Sequence, residues 1–380
     1  MSLIKKVTKL FYKSKDGSMD TVFLILVLLL LTFGLVMLFS ASYANAYYVY
    51  DDALHFIKRQ FVFAVLGVIA MLIISKIDYQ ILRKFVLPLF ILTIILLVVV
   101  LFCPPLNGAR RWIPIGSQTI QPSEIAKFSI ILLFSQLISL NYKKMKTFKY
   151  GVLPFMLVLG VISLLMVLEP HLSGTILILS IGLSMMLIGG TNLKWFAVGG
   201  IVIAVGIAVI IAIPGLIEYA GGRVKIWLDP WSDPLDQGFQ TIQSLLAIGS
   251  GGLLGKGLGN SRQKYLYIPE PQNDFVFSII CEELGFVGAS IIILLFALLV
   301  WRGFTIAMKA KDKFGAMLVI GMVSQVGIQM ILNIAVVTNT VPNTGISLPF
   351  FSYGGTSLMM LLMQMGVILS ISRRSLIEKT

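Results

Sequence analysis

Residues 268–285 read IPEPQNDFVFSIICEELG, and this stretch decides what kind of molecule the chain makes. A polar connection ends here and an apolar segment begins. Asp274 stands at the point of entry, and Glu282 and Glu283 follow about two turns deeper along a helix. Carboxylates at membrane depth are expensive, because hydrocarbon offers no water to solvate them. A segment that keeps three of them has a use for at least one. Asp274, at the mouth, is the candidate; for Glu282 and Glu283, use and plain structural pairing stand level.

Outward from that stretch, apolar runs of about 20 residues recur along the whole chain, each long enough to cross a hydrocarbon layer about 30 Å thick. Hydrophobic residues make up 57% of the 380 positions and charged residues 12%, about half the charged share of a soluble domain. The composition predicts an all-α integral membrane protein. The alternation of a membrane β-barrel is absent. A net charge of +13 does not point to nucleic acid, because the basic residues collect between the apolar runs, as topology signals do. Cys103 and Cys281 have no metal-like spacing and read as small apolar side chains, and His55 and His171 are too isolated for a metal site. The first apolar run is too long for the core of a cleavable signal peptide, so none is expected.

Ten spans are expected, at about 21–43, 56–75, 82–103, 122–140, 151–168, 172–190, 194–213, 274–300, 314–337 and 354–372. An even number puts both termini on one side. Placing them in the cytoplasm collects most of the 30 lysines and arginines there. Residues 1–20 form a basic leader, 21–372 a membrane domain and 373–380 a cytoplasmic tail. The cytoplasmic loops are short anchors. The outer ones are richer, above all the connection of about 60 residues, 214–273, between the seventh and eighth spans, a length more often functional than idle. Within it Phe239, Ile242, Leu245 and Leu246 recur at helical spacing, which predicts an amphipathic helix on the outer surface.

The glycine-rich IGSGGLLGKGLGN of that loop is not a P-loop: Ser250 and Gly257 stand where the motif needs a glycine and a hydroxyl residue. It is expected to be a flexible loop or a backbone surface close to a ligand. Glu124 and Lys127 in QPSEIAK fall at i and i+3 at the outer end of the fourth span and can meet on one face. Such a pair is either purely structural or a phosphate site, with Lys127 holding the anion and Glu124 orienting it. Arg110, Arg111 and Trp112 suit interface anchoring, and equally bidentate binding of a diphosphate with a stacking face beside it. The same holds for Arg223, Lys256, Arg262 and Lys264, which complete a basic outer rim that topology does not require. Glu169-Pro170-His171 marks an outer turn. The last outer loop, TNTVPNTGISLPFFSYGGTS, carries prolines, glycines and hydroxyls, Ser352 among them, and cannot be one helix. Asn333, just before it, should face the bundle.

In this order these motifs resemble the SEDS family (shape, elongation, division and sporulation), the family of RodA, FtsW and SpoVE. The likeness rests on RRWIPIGSQTIQPSEIAK (110–127), GGLLGKGLGNSRQKYLYIPEPQNDFVFSIICEELGF (251–286) and NIAVVTNTVPNTGISLPFFSYGGTS (333–357), and leans toward FtsW and SpoVE. The resemblance implies a peptidoglycan glycosyltransferase that polymerises lipid II on the outer face of the bacterial cytoplasmic membrane. Asp274 would be the essential aspartate, and Arg111, Trp112, Glu124, Lys127, Arg223, Lys264, Asn333 and Ser352 would line the substrate site. The implied partners are lipid II, the nascent glycan strand, membrane lipid and a class B penicillin-binding protein. A divalent cation (Mg or Mn) bridging the diphosphate is compatible with this chemistry, although no ligand set is evident. Two departures from the family pattern stand out: Glu169-Pro170-His171 where Gln-Pro-Asp is common, and Asn339 where glycine is common. A lipid II flippase and a non-catalytic scaffold are the competing readings. The flippase needs charges at mid-membrane, and the scaffold needs no reacting carboxylate.

Overall fold

The computed structural model describes residues 18–105, 110–115, 118–201, 226–236 and 238–375. Its first helices are α1 (Thr21–Tyr50), α2 (His55–Ile74), α3 (Leu82–Val100), α4 (Pro122–Asn141), α5 (Leu153–Leu168) and α6 (Leu172–Ile188). Then come α7 (Phe239–Gly251), α8 (Val276–Met308), α9 (Lys313–Val337) and α10 (Gly355–Arg373). Eight helical segments among the described residues are long and apolar enough to span a bilayer, and α6 is a shorter apolar helix. A further helix starts at residue 193 and runs to 201, where the description stops, so the end of the expected seventh span lies outside the described residues. The chain is a helical membrane protein. One departure from all-α is a two-stranded hairpin, β1 (Ile113–Ile115) and β2 (Gln118–Ile120), paired antiparallel with Ile113 opposite Ile120.

α9 is the central post: it packs against α4, α6, α8 and α10, and most of its apolar stretch is buried inside the protein. Polar contacts mark the lower level of the bundle. Arg302 near the end of α8 pairs with Asp20 at 2.8 Å, and the Asp20 amide donates to Ser372 Oγ on α10 at 3.1 Å. From that level, at 1.5 Å per residue, Ser40 on α1 stands about 30 Å higher and Glu283 on α8 about 28 Å above Arg302. Those two heights agree, because Ser40 Oγ donates to Glu283 at 2.7 Å. Asn333 stands about 30 Å along α9, and its Nδ2 donates to the Asp274 carbonyl at 2.8 Å.

Asp274 is tied to Asn333 near the outer end of α9 and Glu283 to Ser40 in the outer half of α1, although the first turns of α8 separate them. The segment before Gly285 therefore does not continue the line of the helix below it. α8 breaks at Gly285, whose φ of 67° and ψ of −169° no other residue adopts cheaply. This corrects the expectation that Glu282 and Glu283 lie two turns deeper: both stay at the outer level. A break strands backbone groups, and the glycine-rich loop supplies their partners. Lys256 and Gly257 amides donate to the Glu282 and Glu283 carbonyls at 3.0 Å each, while Phe286 and Val287 amides donate to Gly252 and Leu253 at 2.9 and 3.1 Å. A Cβ on Gly255 would sit 2.1 Å from the Glu283 carbonyl oxygen. Gly251 and Gly255 are there for close backbone approach to α8, since a Cβ on either would meet a carbonyl oxygen of that helix.

The amphipathic helix forms, as α7, but it lies against protein. Its buried residues are Thr241, Ile242, Ser244, Ala247 and Gly251, while Leu246 is exposed. Small side chains win this face because α8 approaches closely: Ser244 Oγ lies 2.7 Å from Ser278 Oγ and donates to the Val337 carbonyl at 2.7 Å. The described part of the long loop is thus structured throughout. Trp227 and Asn339 tie it to α9 by reciprocal side chain-to-carbonyl bonds of 3.1 and 3.0 Å, and Asn339 takes the left-handed φ of 55° that the asparagine side chain tolerates.

Candidate active site

The last outer loop descends from the top of α9 into the bundle. Gln329 Nε2 donates to the Ser347 carbonyl at 2.9 Å, and Gln60 brackets the loop, donating to the Ser352 carbonyl at 3.2 Å and accepting from the Gly354 amide at 3.1 Å. Non-helical backbone survives at this depth because packed side chains satisfy it. The loop brings Gly345 against the acid: a Cβ there would lie 3.1 Å from Asp274 Oδ2. Gly345 has a φ of 69°, which favours glycine, and a side chain there would press on the acid.

Asp274 lies just before α8. Burial, reinforced by Glu270, pushes its carboxyl up to about 6 against the opposing pull of Arg111. Asn333 fixes the backbone on both sides of the acid, donating to the Asp274 carbonyl at 2.8 Å and the Ile346 carbonyl at 2.6 Å. It is a clamp, where the sequence suggested a substrate ligand.

The cations arrive from two directions. Arg111 leads into the hairpin and donates to the Pro170 carbonyl. Lys127, on the first turns of α4, is buried and pairs with Glu124 at 2.8 Å. The i, i+3 meeting expected from the sequence is what forms. Glu169 and His171, the turn residues whose role the sequence leaves open, belong to this cluster. Glu169 is fully buried and burial raises its carboxyl to about 8, with Arg111 opposing. His171 stands just before α6 without a side-chain cap bond, and burial, with Arg111 and then Lys127, lowers its imidazole to about 3. Gln121 Nε2 lies 3.5 Å from His171 Nε2. Arg111 thus acts on Asp274, Glu169 and His171 alike. The sequence carried one sign of Glu169: an acid before a proline at the outer end of a span.

Other expected site residues have different work. Lys264, expected to bind substrate, is buried and committed to Glu283 at 2.9 Å, with Ser40 Oγ at 3.1 Å and the Gly259 carbonyl at 2.6 Å completing its ammonium. Lys256 is likewise taken by Glu282 at 2.6 Å. Ser352 Oγ accepts from the Leu348 amide at 2.7 Å and so shapes the loop. Trp112 is half-buried beside the hairpin, and Arg223 lies outside the described residues. Among the described residues no three His, Cys, Asp or Glu side chains converge in a metal cage.

Residues 20–376 match the family model of cell cycle proteins that covers FtsW, RodA and SpoVE. The chain belongs to the FtsW/RodA/SpoVE family. Similar relatives span its length. Stage V sporulation protein E of Bacillus subtilis is 42% identical over 366 residues, covering 95% of this chain and 99% of its own. A probable peptidoglycan glycosyltransferase FtsW of Geobacter is 38% identical, covering 93% and 97%. Two solved structures share the fold. One is a peptidoglycan synthase complex in which polymerization and crosslinking are coordinated, with a TM-score of 0.78 and 30% identity over 93% of this chain and 98% of that one. The other is RodA of Thermus thermophilus, with a TM-score of 0.68 and 25% identity over 93% and 97%. Within this family the RodA-like architecture places a membrane-embedded helical bundle under the site just described.

Proposed function

We propose that this chain is a peptidoglycan glycosyltransferase that joins lipid II units into glycan strands on the outer face of the bacterial cytoplasmic membrane. The observation that carries the reading is one half-buried acid, Asp274, seated at the outer end of the bundle within the field of Arg111, with Lys127 close enough to share His171 with that arginine. Polymerisation by inversion needs a base for the acceptor hydroxyl and a place for the leaving charge. Asp274 takes the proton of the acceptor sugar's 4-hydroxyl as that oxygen bonds the donor's C1. The bond from C1 to the diphosphate breaks, and its electron pair leaves with the polyprenyl diphosphate. Arg111 and Lys127 stabilise that charge, Glu124 orients Lys127, and Trp112 offers a flat face beside them. A divalent cation carried on the diphosphate would add to the same positive field.

This reading takes ten spans with both termini in the cytoplasm, so that the Arg302–Asp20 level would face inward and the Asp274 level outward. A flippase would need charge at mid-membrane. The paired and titratable groups described above instead gather at the outer level or at the Asp20 level. The family resemblance supplies a crosslinking partner, a class B penicillin-binding protein. Purified Asp274→Asn, assayed on lipid II with and without that partner, should lose polymerisation by at least about 100-fold while still folding and binding the partner. Undiminished strands from that variant would remove Asp274 from the chemistry.

A further inference from the structure

Glu169 ends α5 with its side chain sealed from solvent, and neither carboxyl oxygen has a hydrogen-bond partner among the described residues. A buried acid without partners is unfavourable as an anion and tolerable as a neutral acid. Its neighbours explain why it is there. The next residue, Pro170, offers its carbonyl to Arg111, and the one after, His171, is buried with its Nδ1 unpartnered. The Arg111 charge acts on Glu169 as it does on Asp274. One guanidinium therefore serves two acids, the reacting one and a second held at the α5–α6 turn.

We propose that Glu169 is a positioning residue for Arg111: with its proton on, it leaves the guanidinium to an incoming diphosphate, and as a carboxylate it draws the guanidinium into a buried ion pair and away from that ligand. The inference rests on the diphosphate reading of the site. It makes ligand binding fall at alkaline pH, and among the described residues Asp274 and His171 leave that window clear. Asp274 titrates near 6 and His171 near 3, both below it. Arg111 stays charged throughout, and the phosphate oxygens finish ionising at about 6. From α4, Lys127 faces the cluster in its ion pair with Glu124, and Gln121 adds no charge. Arg110, beside Arg111, turns away to the Leu101 carbonyl at 2.8 Å. With Glu169 titrating at about 8, the neutral fraction drops from about nine tenths at pH 7 to about one tenth at pH 9, and apparent affinity drops with it.

The test measures binding of farnesyl diphosphate to the full-length chain in detergent at pH 7 and pH 9. Wild type is expected to bind about tenfold more weakly at pH 9, and Glu169→Gln, which cannot ionise, should show a ratio between the two pH values of less than about twofold. An equal alkaline loss in both proteins overturns the inference, and so does pH-independent binding by wild type alone, which needs no variant to fold. Arg111→Ala separates the two levels of the argument. If the probe binds that variant as well as wild type at pH 7, the diphosphate reading fails and takes this inference with it. Binding that requires Arg111 yet ignores pH sinks only the role of Glu169.

Discussion

Glu283 and Glu169 are equally sealed from solvent at the outer level of the bundle, yet Glu283 is saturated with donors and Glu169 has none among the described residues. Glu283 accepts from Ser40 at 2.7 Å, Lys264 at 2.9 Å and the Ser261 amide at 3.3 Å. Beside it Glu282 accepts from Lys256 at 2.6 Å, Ser261 Oγ at 2.5 Å and the Arg262 and Gln263 amides at 3.1 and 3.2 Å. These two acids fasten a loop to a broken helix. Asp274 and Glu169 instead face a shared arginine, with carboxyls raised by burial. Both regions hold carboxylates at the outer level of the bundle, and Glu169 is as fully buried as Glu282 and Glu283. Under the proposed function, what separates the structural acids from the proposed base is whether the fold has already supplied their hydrogen bonds.

The comparison can be broken hardest at the saturated end. Lys264→Met leaves Glu283 buried without its cation and should cost about 3–5 kcal/mol of unfolding free energy, read by denaturant titration in detergent. Adding Glu283→Leu should return much of that loss. A Lys264→Met protein as stable as wild type would mean the clamp holds nothing. At the unsaturated end, Lys127→Met should lower lipid II polymerisation about 10²–10³-fold by removing charge from the leaving group. The double change with Glu124→Gln keeps the defect while removing the stranded acid, which separates lost chemistry from lost folding.

The bilayer spans and the Glu124–Lys127 pair were legible in the sequence because hydropathy and i, i+3 spacing are local signals. The position of Asp274 at the mouth of α8 was legible because a polar connection met an apolar run there. The fate of Lys264 was not. Its partners Ser40 and Glu283 come from α1 and α8, and no spacing in one segment reveals a contact that far apart in sequence. The glycine-rich loop was hard to read for a related reason: Gly251 and Gly255 answer a break in another helix. Glu169 carried a visible oddity, an acid before a proline, but its meaning required knowing that Arg111 arrives beside it.

A smaller effect sharpens the assignment of the base. Asp274 accepts a proton only when ionised, and its raised carboxyl is protonated below about 6. The polymerisation rate at low substrate should therefore rise with pH up to about 6 and flatten above it. A limb near the ordinary aspartate value of about 4 would show that burial is not felt at the site. At the bottom of the scale stands Lys58→Ala, which removes an exposed ion pair to Asp52 of 2.9 Å. Stability should change by less than about 1 kcal/mol, because solvent already screens that pair.

The bend at Gly285 has a mechanical corollary. In the proposed reaction a polyprenyl-anchored donor cannot rise out of the lipid surface, so the Asp274 carboxylate would have to be delivered at a fixed altitude. With the first turns of α8 set off by the break at Gly285 like the jib of a crane, residues added beyond the bend would move Asp274 without moving the helix below it. Residues added to the mast beneath it raise the whole arm. Reach toward the sugar and fit to bilayer thickness can then be adjusted independently within a single helix.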